Sequence, residues 1–428
     1  METEALFFTS SVSFLLKRIM IMVESSNIHI NSLQRVIFII TEECNNKCVH
    51  CYNSYLTRRK GFMSKEIFDM GLKKSLDYGV KSVCISGGEA LLHPDIVYFI
   101  EQVKKHHLHL RLYTNGQCVT EEVCHALQGM DLSPVSVTLY SCDDNVHDSI
   151  TQHKGSLQKT LAGIQMFSKY NIPVQISAPV TRLNVKGVRE LFRYCKTDLN
   201  VVSFGPNPFI SYSVNHGRTN SAVIPSVDDI VEFAKEYYSV AIEMGFNIIP
   251  HKETCDWRDY RPYNGAELTV QYDGTIVAGT LLSDLTLGRI QNDQLGEIWK
   301  NSHLLNKWRG IALEKSDKCS SCKYLAWCQP SIGDNWVANN DMLSLDKHWC
   351  ECNEAYYESL MDWSDGGKHL IEVNGKPGFV FDVNTITEQD GAKYAPAFFS
   401  KKIAVLKYNM SDTECEEMSQ QNIMVQIN

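Results

Sequence analysis

Between Leu33 and about Asn207, short apolar runs alternate with longer segments of helical spacing. The runs Val36–Thr41, Ser82–Ser86, Leu108–Tyr113, Val135–Tyr140, Val174–Val180 and Val201–Phe204 have the length and flanking turn residues of strands. Ser64–Tyr78, Pro94–His106, Glu121–Leu127, Ser156–Tyr170 and Val185–Cys195 instead recur at the spacing that gathers apolar residues on one helix face. Pro94 suits a first helical turn. Such strand–helix alternation predicts an α/β fold, a partial (β/α)6 barrel with right-handed crossovers. In barrels of this kind the chemistry sits at the carboxyl ends of the strands.

Farther along, Ser226 to about Met244 reads as an amphipathic helix, opened by a capping box at Ser226-Val227-Asp228-Asp229 and closed by Gly245. The pattern then changes. Glu267–Val277 reads as a hairpin around Asp273-Gly274, followed by Leu287-Gly288-Arg289-Ile290 and Leu295-Gly296-Glu297-Ile298-Trp299. Near the end, Leu370–Val373 and Phe379–Val383 form a second hairpin signal around Asn374-Gly375, and Lys402–Tyr408 has the pattern of a further strand. The apolar stretch Ala5–Val23 is broken by Lys17 and Arg18, and it lacks the basic start of a secretion signal. The expected organisation is an N-terminal extension (1–33), a barrel (34–250), a small Cys-rich domain (251–355) and a β-containing C-terminal extension (356–428).

Composition narrows the function classes. A chain of 428 residues, 44% hydrophobic and 21% charged, is an ordinary globular protein with room for more than one domain. A formal net charge of -9 lacks the basic footprint of a nonspecific nucleic-acid binder. No apolar run reaches the ~18 to 20 residues a membrane helix needs. Neither nucleic acid nor membrane is therefore an expected partner. Fifteen cysteines without a secretion signal point to a cytoplasmic protein whose clustered thiols bind metal. Cys84, Cys118, Cys124, Cys142, Cys195 and Cys415 are scattered and read as small buried hydrophobes or plain free thiols.

The first expected strand runs into Cys44-Asn45-Asn46-Lys47-Cys48-Val49-His50-Cys51-Tyr52, with thiols spaced C-x3-C-x2-C. A structural zinc site or a closed iron–sulfur cluster takes four protein ligands. Three thiols leave one metal position for another molecule; half of a zinc site is the plainer alternative. The second strand ends in Ser86-Gly87-Gly88-Glu89-Ala90, where two glycines admit a close backbone approach beside an acceptor. The third ends in Thr114-Asn115-Gly116, a turn by its chemistry. After the fourth comes Leu139-Tyr140-Ser141-Cys142-Asp143-Asp144-Asn145-Val146-His147-Asp148, whose His147-Asp148 pair reads as a loop organiser and cap before it reads as an acid–base pair. The helix opened by Gly155-Ser156 has N-terminal amides suited to an anionic group. Arg182 can pair with a carboxylate. A second thiol set, Cys319, Cys322 and Cys328 with Cys350 or Cys352, supplies four ligands for zinc or for an iron–sulfur cluster.

Together these motifs resemble the radical S-adenosylmethionine (radical SAM) enzymes. The resemblance implies a [4Fe–4S] cluster on Cys44, Cys48 and Cys51, with SAM completing the shell of the fourth iron. It implies SAM contacts from Tyr52, Gly87, Gly88 and Glu89, and from Ser177 and Asn184 near the fifth strand. The hairpin and later cysteines are similar to the SPASM extension of peptide and protein modifiers, with two departures. Gly279 and Ile332 stand where that pattern has cysteine, leaving Cys255 alone for the first auxiliary cluster. One auxiliary [4Fe–4S] cluster is therefore expected, on Cys319, Cys322, Cys328 and Cys350; Cys255 is a bystander or a hydrogen-atom or proton partner in catalysis. The activity implied is reductive SAM cleavage and modification of a peptide or protein, with maturation of a ribosomally made peptide foremost. A small redox protein is the expected electron donor. A sulfatase-maturing enzyme and a noncatalytic zinc or iron–sulfur interaction protein are the alternatives.

Overall fold

The computed structural model describes residues 33–51, 61–207, 223–243, 267–279, 285–309, 317–320, 322, 341, 344, 347–363, 370–373 and 376–379. Six parallel strands follow one another across the sheet in chain order: β1 (Arg35–Ile39), β2 (Ser82–Ser86), β3 (His109–Thr114), β4 (Val135–Thr138), β5 (Val174–Pro179) and β6 (Ser203–Asn207). The helices between them are α1 (Lys65–Tyr78), α2 (Ile96–Lys105), α3 (Glu121–Leu127), α4 (Asp144–Thr151), α5 (Ser156–Lys169) and α6 (Val188–Thr197). The α/β alternation of parallel strands and helices read from the sequence is present. Two details differ. Helix α2 starts at Ile96, after a 3-10 turn over Ala90–Leu92, so Pro94 precedes it rather than entering it. The polar segment after β4 is itself a helix, α4, capped by Asp143 Oδ1 accepting from Asn145 N at 2.8 Å and Val146 N at 3.1 Å.

One core holds the sheet to its helices. Alternate strand residues such as Val36, Phe38, Val83, Ile85, Leu110, Leu112, Val135, Val137, Val174 and Ile176 are buried among Phe68, Phe99, Ile164 and Phe167 of the helices. Their neighbours in sequence face the other side, because strand side chains alternate. Each buried leucine, isoleucine or phenylalanine contributes about 1.5–3 kcal/mol of transfer free energy, so this single face fixes the register of the sheet.

The hairpin expected at residues 267–277 forms, and it joins the same sheet. Strand β7 (Glu267–Gln271) pairs in parallel with the free edge of β1, and β8 (Thr275–Val277) and β9 (Thr286–Arg289) follow antiparallel. The change of pattern near residue 250 therefore does not mark a second sheet. Helix α7 (Val227–Glu243) opens with the expected capping box, Asp229 N donating to Ser226 Oγ at 3.2 Å and Ser226 N to Asp229 Oδ2 at 2.8 Å. Helix α8 (Leu295–Asn301) buries Leu295, Ile298 and Trp299. Helices α9 (His303–Arg309), α10 (Asp317–Ser320) and α11 (Lys347–Trp363) complete this compact unit, Leu33–Ile248 with Arg261–Trp363. A separate unit includes the antiparallel pair β10 (Leu370–Val373) and β11 (Lys376–Phe379), one strand pair of the expected C-terminal extension. No helix among the described residues is long and apolar enough to cross a membrane.

Candidate active site

The cysteine loop leaves β1 at the carboxyl ends of the strands and is held from three sides. The first side is the turn after β2: Gly88 N donates to Thr41 O and Glu89 N to Glu43 O, both at 2.8 Å. Gly87 and Gly88 have no side chain because none fits. A Cβ at Gly87 would lie 2.5 Å from Thr41 O, and one at Gly88 would lie 2.6 Å from Glu42 O and strike Glu43 O as well. The close approach foreseen for these glycines is made by the protein's own backbone.

The second side is the end of β3. Asn115 Nδ2 donates to Asn45 Oδ1 at 2.6 Å, Asn45 Nδ2 to Gln117 Oε1 at 3.1 Å, and Gln117 Nε2 to Asn46 Oδ1 at 3.0 Å. The third is α4. Its last carbonyls lack partners within the helix, and Ile150 O and Thr151 O accept from Val49 N and Lys47 N at 2.9 Å. Sequence reasoning missed Asn45, Asn46, Gln117 and also His153, whose Nδ1 meets Asn46 Oδ1 at 3.0 Å, as parts of this clamp. The only local signal was the two asparagines between the first two thiols.

Cys44, Cys48 and Cys51 are half-buried on this loop. Asn46 N lies 3.4 Å from Cys44 Sγ, and the Tyr140 hydroxyl lies 3.6 Å from Cys48 Sγ. Tyr140 also meets His50 Nε2 at 3.1 Å. Burial pushes the Cys48 thiol up to about 12, against the pull of the Tyr140 hydroxyl, and the neighbouring thiols Cys51 and Cys44 raise it further. Bare thiolates are thus unfavourable here; a bound metal centre supplies the positive charge that would hold them ionised. Three thiols on one clamped loop, with N–H and O–H donors to two of the sulfurs, fit an iron–sulfur cluster that keeps one iron free of protein. Tyr52 lies outside the described residues.

Glu89 is almost fully buried, and its carboxylate is used inside the protein. Oε1 accepts from Leu91 N at 2.9 Å and Thr114 Oγ1 at 2.6 Å, and Oε2 from Asn115 N at 2.6 Å. Burial raises its carboxyl above the ordinary range, while the three donors pull it down. Glu89 therefore ties the ends of β2 and β3 together beneath the cysteine loop. Glu89→Gln should destabilise the fold by about 1–3 kcal/mol in thermal or denaturant melts, because either placement of the amide sets N–H against N–H. A melt matching wild type would refute this role.

Three further expectations meet the structure. Asn184 turns inward: its Oδ1 accepts from Thr181 N and Thr181 Oγ1 at 2.6 and 2.9 Å, and its Nδ2 donates to Tyr140 O and Pro179 O at 3.0 and 3.1 Å. With every amide position used within the protein, it braces the ends of β4 and β5. The amides at the start of α5 are also taken: Asp148 accepts from Gly155 N at 2.5 Å, Leu157 N at 3.1 Å and Ser156 Oγ at 2.8 Å. His147 is buried against Ser156 Oγ at 2.9 Å and pushed down to about 4 by burial, so the pair organises the loop and caps the helix. Arg182 pairs with Asp229 at 3.3 Å. Ser177 stays half-buried on the strand face opposite the helices.

Of the second thiol set, Cys319 is buried and Cys322 half-buried, joined by a turn in which Cys322 N donates to Cys319 O at 3.1 Å. Cys350 and Cys352, two apart on α11, face differently. Burial raises the Cys350 thiol, Lys318 opposes that rise and Cys319 adds to it, while Cys352 Sγ meets His348 Nε2 at 3.5 Å. Cys255 and Cys328 lie outside the described residues.

Residues 38–195 match the radical SAM superfamily. Over 345 residues, 74% of this chain and 96% of the relative, the sequence is 23% identical to the AdoMet-dependent heme synthase of Methanosarcina barkeri. Over 302 residues, 68% of this chain and 65% of the relative, it is 27% identical to the antilisterial bacteriocin subtilosin biosynthesis protein AlbA of Bacillus subtilis. The crystal structure of Streptococcus suis SuiB bound to precursor peptide SuiA is similar with a TM-score of 0.62 at 16% identity, covering 78% of this chain and 79% of SuiB. At that identity the likeness is one of fold.

Proposed function

We propose, from the premise that this chain carries a radical SAM domain and is a radical SAM enzyme, that it modifies a peptide or protein, with maturation of a ribosomally made peptide as its task. The observation that carries this reading is the three-thiol loop, clamped above Gly-Gly-Glu at the strand ends, in a chain similar to AlbA over 68% of its length. Cys44, Cys48 and Cys51 would hold the SAM-binding cluster. When bound, the cluster and SAM together supply a 5′-deoxyadenosyl radical able to take a hydrogen atom from an unactivated carbon.

The protein's own part is to place and shield. Asn45 and Asn46 fix the loop through Asn115 and Gln117. Tyr140 donates to Cys48 Sγ, a contact of the kind that tunes iron–sulfur potentials. With the Glu89 acid used internally, the main chain of Gly87 and Gly88 and the Ser177 hydroxyl are the groups we assign to SAM. We assign one auxiliary cluster to Cys319, Cys322, Cys328 and Cys350; the electrostatic proximity of Cys319 to Cys350 supports Cys350 as the fourth ligand. A small redox protein as electron donor, a cytoplasmic location and a catalytic role for Cys255 complete the proposal.

The similarity to a heme synthase favours a second reading, a small-molecule substrate. The test is anaerobic reconstitution with iron and sulfide, followed by dithionite and SAM. Formation of 5′-deoxyadenosine with about eight irons per chain is the expected result. Iron near twelve would restore the missing auxiliary cluster, and zinc without SAM cleavage would overturn the enzyme. A mass change in a short peptide encoded beside this gene separates the two substrate readings.

A further inference from the structure

The sheet face turned away from the helices carries an arginine, Arg111, that has no ion-pair partner among the described residues. Leu110 and Leu112 of β3 belong to the helix-side core, so Arg111 and Tyr113 between and after them face the other way. Register places Arg111 in one row with Cys84 of β2, Ile37 of β1 and Thr269 of β7. The adjacent row, one pleat toward the strand starts, holds Arg35, Ser82 and Glu267, where Glu267 is already ion-paired with Arg35. His109, also on β3, is bonded to Asp131 and Ser133 at 2.9 and 2.8 Å. Cys84 is pushed up to about 12 by burial and stays neutral. Arg111 is therefore the arginine on this face left without an ion-pair partner among the described residues. Its Nε is buried with no hydrogen-bond partner, while its neighbour Tyr113 is 42% exposed. A half-buried guanidinium held without a carboxylate is costly unless a ligand brings one.

We propose that Arg111 is a carboxylate-binding site on the inner face of the barrel, and that it takes an acidic side chain or the free C-terminus of the substrate peptide. The planar fork of arginine suits two-point contact with a carboxylate. Three residues separate Arg111 from Thr114, whose hydroxyl anchors Glu89 beneath the cysteine loop. At about 3.3 Å per residue the two levels stand roughly 10 Å apart. The peptide carrier rests on the function proposed above; the carboxylate chemistry does not.

The test uses the reconstituted full chain and a random peptide library, selected with and without saturating SAM. Wild type should recover peptides rich in Asp, Glu or free C-termini. A synthetic copy of a recovered peptide should bind Arg111→Gln at least about tenfold more weakly. Arg111→Glu should regain affinity when the peptide's acid is replaced by lysine, which also shows that the variant folds. Recovered peptides without acid enrichment on wild type, or acid enrichment only when SAM is absent, overturn the proposal; the latter gives Arg111 to SAM's own carboxylate. If no peptide is recovered, the α-amides of N-acetylglutamate and N-acetylglutamine, which differ only in the side-chain carboxylate, are titrated by NMR line broadening. Binding of the first alone, lost in Arg111→Gln, keeps the site and removes the peptide. Binding of neither removes both.

Discussion

Cys48→Ala should lower the iron of the reconstituted protein by about four atoms per chain and abolish formation of 5′-deoxyadenosine. Cys350→Ala should also remove about four, and the double variant should bring iron close to zero. The argument turns on how the loop is held. Its clamps are main-chain and amide bonds, Lys47 N and Val49 N to α4 and Asn45 and Asn46 to Asn115 and Gln117, none of which uses a thiol. Removing the Cys48 sulfur takes away one of the three proposed ligands and one of two partners of the Tyr140 hydroxyl, and leaves those bonds intact. The thermal melt of the iron-free variant should stay within about 1 kcal/mol of wild type, a range typical where no buried network is broken. Cys142 is exposed and belongs to neither proposed ligand set, so Cys142→Ala is the control that should change neither iron nor activity. Full iron in Cys48→Ala, or four irons left in the double variant, would defeat the two-cluster assignment.

The parts of this fold that showed in the sequence are those governed by local pattern. Val83 and Ile85, or Leu110 and Leu112, announce their strands because one face must be apolar to meet the helices. Helix α4 was hidden for the opposite reason. Asp144, Asn145, His147 and Asp148 make it polar, and its helical state depends on the Asp143 cap and on carbonyls that serve the cysteine loop. Glu89 stood out beside two glycines, but its partners Thr114 and Asn115 lie on the next strand, and spacing along the chain does not reveal a contact across it. The same limit applies to β7. Asp273-Gly274 marks its hairpin with β8, while the parallel pairing with β1 joins residues more than two hundred positions apart. The partners of Asn184 and of the α5 start are equally hidden in the sequence, because Thr181, Tyr140 and Asp148 occupy these groups only once the strand ends and helices are packed.

Gly88→Ala should cost about 1–3 kcal/mol of stability, the usual penalty for forcing a methyl group into filled space, and should also reduce iron loading. The effect is steric. The new Cβ meets Glu43 O and stands 2.6 Å from Glu42 O, both backbone atoms that cannot rotate aside. Relief requires the chain at Glu42 and Glu43 to move, and Cys44 is the next residue. Movement also strains the bonds from Gly88 N to Thr41 O and from Glu89 N to Glu43 O, each 2.8 Å long, which seat the loop on the sheet. Gly205 in β6 is the matched control. A Cβ there would find only Ile176 O, at an ordinary 3.7 Å. Since glycine within a strand is disfavoured by roughly 0.5–1 kcal/mol relative to alanine, Gly205→Ala should be neutral or slightly stabilising. Melts of the iron-free chain read the steric cost, and iron bound after reconstitution reads the displacement of Cys44. A Gly88→Ala protein with wild-type values of both would show that the loop does not rest on the Gly-Gly turn, and the seat proposed for the cluster would have to be sought elsewhere.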